Sequence, residues 1–221
     1  MKPGTNLKKM VDPLITYFAG GRYRRLCSLE RLMGACGRMD IQDAFSILRS
    51  HNDLSGFNRD VCMHAQGRLI RKSQTTSSLV VALNGQGRFK IFVTAGSAPC
   101  LTPFKPVLPA HLPVDISRGG QGYSEESYWW RHARSHVLSM GLDEAARHSL
   151  QGEIYGLEQS CRDLPFYGWD EHDPALVDSS HEAFRSAESN EHSFLEQAHG
   201  SRPHLSRYWR HIVKTNRIPL S

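Results

Sequence analysis

The tetrapeptide Asn84-Gly85-Gln86-Gly87 lies between two runs rich in apolar and β-branched residues, 75–83 and 89–94. Asparagine and glycine reach the positive φ that a tight hairpin turn needs at little steric cost. Flanked by such runs, the tetrapeptide commits the chain to an antiparallel pair of strands. Residues 60–65 (Asp-Val-Cys-Met-His-Ala) are a third strand candidate, linked to the second through residues 65–72. Three successive strands with short links read as an antiparallel meander.

Helical patterning brackets the meander. Leu26, Leu29, Leu32 and Met33 recur at spacings of three or four, which predicts a helix over residues 22–34. Asp40 is placed to cap a second helix through residue 50, with Ile41, Ala44, Phe45 and Leu48 on one face. Residues 51–60 read as loop. The segment 98–113 carries five of the chain's eleven prolines, which argues against helix and for an extended surface crossing. Residues 116–124 are flexible by composition. Ser124, with Glu125 and Glu126 behind it, is placed to cap a long helix. Trp129, Ala133, Val137 and Met140 form its first stripe. Leu150, Ile154, Leu157 and Cys161 continue it past a kink at Gly141. From Pro174 the chain is helical in places, polar, and ends in a basic, aromatic segment. The class is α+β, and no internal repeat is present.

Composition excludes several classes. The 221 residues carry a formal net charge of +5, which permits acidic partners without requiring them. No apolar run is long enough to span a bilayer, and the N-terminus lacks the apolar core of a secretory signal. The five cysteines are Cys27, Cys36, Cys62, Cys100 and Cys161, an odd number without a Cys-x-x-Cys pair. Neither a disulfide framework nor a structural zinc site is supported by that spacing. Reduced thiols in a cytoplasmic protein are the expectation.

Four arrangements invite a chemical reading. Cys62 and His64 share a face if their segment is a strand, so a thiol–imidazole pair is conceivable. A cysteine in an apolar strand is more often a small core residue. His132 and His136 lie one helical turn apart, a spacing that suits a metal. Ala133 stands where a His-Glu-x-x-His signature has glutamate, and no third ligand is evident, so a solvated or partly packed helix face is expected. Basic clusters lie at 22–25, 68–72 and 207–214, the first and last with interleaved aromatic residues, but no nucleic-acid motif accompanies them. Ser73, Thr75, Thr76, Ser77 and Ser78 lack a nucleophile elbow and read as hydroxyls on a strand face.

The segments DAFSILRSH, VCMHA, RKSQTTSSLVVAL, FVTAGSAPCLTPFKPV and SYWWRHARSHVL, in this order and spacing, resemble the secernins and their relatives. These are cysteine dipeptidases and acylases of the N-terminal-nucleophile class. The likeness runs from about residue 12 to about residue 161, so residues 1–161 are expected to be the C-terminal portion of such a domain and 162–221 a helical, polar extension. It implies part of a four-layer αββα sandwich: antiparallel strands, covering helices and a long C-terminal helix. It also implies amide hydrolysis by a cysteine whose own α-amino group accepts the proton. That nucleophile has no counterpart here, since the earliest cysteine, Cys27, falls in a predicted helix.

One residue transfers from the family pattern. Gly21-Arg22-Tyr23 resembles a Ser-Arg-Phe-type motif in related acylases, which implies that Arg22 stabilises charge in the tetrahedral intermediate. A surface arginine at a helix start accounts for it equally. The implied partners are a chain carrying the other half of the fold, or a second copy, with a short peptide as substrate. No cofactor, nucleic acid or membrane is implied. The alternative is a catalytically inactive relative serving as a structural or interaction protein.

Overall fold

A computed structural model describes residues 12–13, 20–51, 60–65, 73–113, 118–168, 173–197, 203 and 205–220. The described residues form six helices and a three-stranded antiparallel sheet of order β1-β2-β3, comprising β1 (Leu79–Leu83), β2 (Phe89–Val93) and β3 (Lys105–Pro106). Most of the loop predicted over 51–60, and the basic cluster Arg68–Lys72, lie outside them.

The hairpin forms as its turn chemistry dictates. Leu83 pairs with Phe89, and Gly85 and Gly87 take φ of +74° and +77°. The Asn84 side-chain oxygen accepts from the backbone N–H groups of Gln86 (2.9 Å) and Arg88 (3.2 Å), which closes the turn.

The third strand is not the expected one. It is Lys105–Pro106, inside the proline-rich segment, and Pro106 is tolerated because β3 is an edge. Residues 60–62 form bends and 63–65 are irregular instead. Thr75 explains why: its Oγ1 accepts from the Met63 N–H (3.0 Å) and donates to the Val61 carbonyl (3.1 Å), while its own N–H donates to Met63 (2.9 Å). One side chain thus takes up bonds that a neighbouring strand would have taken. The hydroxyl run is consequently not a strand face, since β1 begins only at Leu79.

α1 (Gly21–Gly34) and α2 (Ile41–Leu48) match the periodicity. Asp40 caps α2 in a reciprocal box with Asp43. The proline-rich segment holds one 3₁₀ turn, Pro99–Leu101, where none was expected. The predicted long helix is two. α3 (Tyr128–Ser139) starts after Ser127 rather than Ser124, whose hydroxyl accepts from the Glu126 N–H (3.2 Å). The chain breaks around Gly141, and Asp143 caps α4 (Glu144–Arg162) through the Ala146 N–H at 2.8 Å. α5 (Pro174–Gln197) and α6 (Arg207–Asn216) follow.

The core sits between the sheet and α2, α4 and α5. Phe45 stacks on Phe104 at 4.2 Å and meets Phe92 edge-on at 5.3 Å, with Cys161 and Ala183 completing the cluster. Residues beyond 162 pack into the same body: Phe184 lies edge-on to Tyr128, and the Trp209 indole donates to the Ala65 carbonyl at 2.7 Å. No helix among the described residues is long and apolar enough to cross a membrane.

Two apolar surfaces are left open. α1 buries no residue, and Tyr23, Leu26, Leu29, Leu32 and Met33 are all exposed. On β1, Val80 turns toward the core, while Leu79, Val81 and Leu83 on the other face are 58%, 46% and 75% exposed.

Candidate functional site

Among the described residues, His51, Cys62, His64 and Cys100, drawn from three separate stretches of chain, form one close group of potential ligands. Their donor atoms all lie within 4.8 Å of one another. His64 is central: its Nε2 is 3.0 Å from His51 Nε2, 3.5 Å from Cys62 Sγ and 3.3 Å from Cys100 Sγ. Both cysteines are buried free thiols, His64 is half-buried, and His51 stands at the exposed rim.

Local structure fixes each member. His51 follows the end of α2. The Cys62 N–H donates to the Ser50 carbonyl at 3.2 Å, which ties the second stretch to the first. Thr75 holds the backbone on either side of Cys62, and its carbonyl accepts from the Ala98 N–H at 3.1 Å, which ties in the third. Ala95 and Ala98 both take φ of +53°, a left-handed conformation that costs a non-glycine residue about 1 kcal/mol or more. Ala98 starts the 3₁₀ turn that points Cys100 at His64. Between the alanines, a Cβ on Gly96 would fall 2.2 Å from the His132 ring, so only glycine fits there.

The two thiols are unequal. A hydrogen bond from Cys100, then His51 and His64, hold the Cys62 thiol well below its usual range despite burial. The same contact with Cys62, together with burial, pushes Cys100 up. One sulfur is therefore held as thiolate by the proton of the other. A cleft of about 240 Å³ between α2 and α4, lined by Gln42, Arg49 and Tyr155, reaches His51 and Cys100. Cys62 lies behind them, fully buried.

The wall behind the cluster is polar and buried. The His64 ring meets His136 edge-on at 5.7 Å, and His136 Nδ1 shares a hydrogen bond with Ser97 Oγ at 3.2 Å. Burial drives His136 down to about 3, so this ring is neutral. His132 Nε2 donates to the Ser97 carbonyl at 2.5 Å, and its Nδ1 faces Glu191 at 2.6 Å. His132 and His136 are thus fully interior, not the solvated or partly packed face that their spacing suggested. The apolar side of α3 includes them because Ser97 and Glu191 supply polar partners.

Sequence reasoning paired Cys62 with His64, and the structure brings them together without a strand. It did not join His51 or Cys100 to them. The available signal was that the VCMHA, SQTT and APC segments belong to one pattern; they meet here through Thr75. Arg22, the residue carried over from the family pattern, is exposed on the first turn of α1. No described hydrogen bond or ion pair links it to the cluster. The chain matches no protein-family model, curated protein or solved structure.

Proposed function

We propose that this chain is the C-terminal sheet-and-helix half of a secernin-like cysteine hydrolase, and that it works with a polypeptide carrying the other half. The observation that carries this reading is the open β1 face. Helices cover one side of the sheet; on the other, Tyr128, Leu176 and Phe184 pack against the β2 residues, while Leu79, Val81 and Leu83 of β1 are exposed. An αββα sandwich places a second sheet against such a face. The exposed stripe of α1 supports the same reading, since an amphipathic helix needs a surface for its apolar side.

In the assembled protein the nucleophile comes from the other half. A terminal cysteine thiolate attacks the amide carbonyl, an acyl-enzyme forms, the amine leaves, and water releases the acid. A dipeptide or similarly short amide is the proposed substrate, and Arg22 is the residue of this chain proposed to stabilise the tetrahedral intermediate. The described cysteines do not serve as nucleophile, because Cys62 is sealed in the core and Cys100 holds its proton.

The test is dipeptide hydrolysis by the purified chain, alone and co-expressed with an N-terminal half that begins with cysteine. The chain alone is expected to be inactive, and the pair active. Hydrolysis by the chain alone that disappears on Cys62→Ala would overturn the proposal. A stable complex without hydrolysis would replace it with the non-catalytic interaction protein.

A further inference from the structure

We propose that His51, Cys62, His64 and Cys100 bind one zinc ion as a closed Cys₂His₂ centre, which clasps three stretches of chain at the core's edge. The donor set is the first argument. Two sulfurs and two imidazole nitrogens suit zinc, whereas calcium and magnesium take oxygen ligands. A Rieske-type [2Fe–2S] cluster also takes two thiols and two imidazoles, but it divides them between two irons, whereas here His64 lies 3.0 Å from the other imidazole and within 3.5 Å of both sulfurs, a spacing that suits one ion.

Geometry is the second argument. In a tetrahedral centre with Zn–S of about 2.3 Å and Zn–N of about 2.0–2.1 Å, neighbouring donors stand roughly 3.3–3.8 Å apart. The observed separations from His64 are 3.0, 3.5 and 3.3 Å. All four donors lie within 4.8 Å of one another, close enough for a central ion to draw them into its coordination shell.

Preorganisation is the third. The bonds from Cys62 to Ser50, from Thr75 to Val61 and Met63, and from Ala98 to Thr75 set the ligand positions by backbone contacts that involve no ion. The strained Ala98 aims Cys100 inward, a cost that a bond to Cys100 offsets.

Two rival roles fit less well. A catalytic thiol needs substrate access, and Cys62 is fully buried and does not line the cleft. A redox pair needs no imidazoles, yet His64 stands within 3.5 Å of both sulfurs. Four protein ligands leave no open position, so the role is structural.

The experiment is a zinc titration of the full chain, stripped with chelator and kept reduced, against a competing chromophoric chelator. One equivalent is expected, with a rise in melting temperature on loading. Cobalt in place of zinc is expected to give the strong visible bands of a tetrahedral thiolate site. His51→Gln tests the centre without disturbing the core, because His51 is at the exposed rim. It and Cys100→Ser are each expected to weaken zinc binding by about 100-fold or more. Cys36→Ser, at an exposed thiol outside the group, is expected to change nothing. Binding below one equivalent, binding indifferent to His51→Gln, or a Cys62–Cys100 disulfide in protein kept reduced would each overturn the proposal.

Discussion

The corner around Thr75 and the outer face of β1 lie only a few residues apart in sequence and are built in opposite ways. In the corner, polar groups are paired across the chain: Thr75 bridges two loops, Ser97 serves two histidines, and both thiols lie within 3.5 Å of His64. On the outer face of β1, the large apolar side chains of Leu79, Val81 and Leu83 are exposed. Isolated exposed hydrophobic residues are ordinary, but a contiguous strand face is a surface awaiting a layer. The contrast separates a region that satisfies its own polar groups from an exposed apolar face, the one proposed to receive a partner half.

The sharpest way to break the self-sufficient side is at Arg49. Its guanidinium forms a two-pronged pair with the fully buried Glu158, donates to the carbonyls of Pro99 (2.7 Å) and Thr102 (2.9 Å), and lies over the Phe104 ring. Glu158 also accepts from the Phe104 N–H at 2.7 Å. Arg49→Met leaves a buried carboxylate without its cation, which is expected to cost about 3–5 kcal/mol in urea denaturation. The double variant Arg49→Met/Glu158→Met is expected to regain much of that, because the desolvated charge goes too. A loss under about 1 kcal/mol in the single variant would mean that water reaches Glu158 and the core is looser than described.

Lys105 gives a subtler test of the same interior. It is fully buried and donates to the carbonyls of Thr94 (2.7 Å) and Pro103 (2.9 Å) and to the Thr102 hydroxyl (3.3 Å), beneath the Tyr128 and Phe184 rings. Burial outweighs the attraction of Glu191 and Glu158 and pushes it down to about 7. An unfolded lysine titrates near 10.4, so between the two values the unfolded chain holds a proton that the folded chain has released. Stability from this residue therefore rises as pH increases from about 7 to about 10, and it is lowest where both states are protonated. The difference in melting temperature between wild type and Lys105→Met is expected to change in wild type's favour across that window. A flat difference would mean that the carbonyl cage keeps the lysine charged.

How much of this was legible in the sequence differs by region. The hairpin, α1, α2 and the core stripe of α4 followed from local signals: Asn-Gly, an Asp cap, and apolar spacing. The break at Gly141 was visible only as a kink, because the Asp143 cap that restarts the helix was overlooked. The third strand was misplaced because a threonine hydroxyl can do the work of a ladder, and nothing in the pattern of residues 60–65 announces that. Cys62 and His64 were visible as neighbours. His51 and Cys100 were not, since their approach depends on how α2 ends and how the loop after β2 turns back. The ion pair of Arg49 with the buried Glu158 was invisible for the same reason: the two are far apart in sequence.

The last prediction has the smallest effect on the isolated chain and bears most directly on the comparison. Leu79→Glu and Leu83→Glu place charges on the exposed side of β1, opposite Val93 and Phe89, whose own side chains are packed from α3 and α5. If the face is open in the isolated chain, each change is expected to shift its stability by no more than about 0.5 kcal/mol, the usual range for surface positions. Glutamate is also a poor strand former, which accounts for whatever small loss is seen. The same changes are expected to abolish association with an N-terminal half, because a buried carboxylate without a partner is costly at the centre of an apolar interface. Two measurements are therefore read together: denaturation of the chain alone, and co-purification with the partner half. A large loss of stability in the chain alone would show that this face is already covered within the chain. Unchanged co-purification would show that the second layer, if there is one, docks elsewhere, and α1 with its exposed leucines would become the surface to vary.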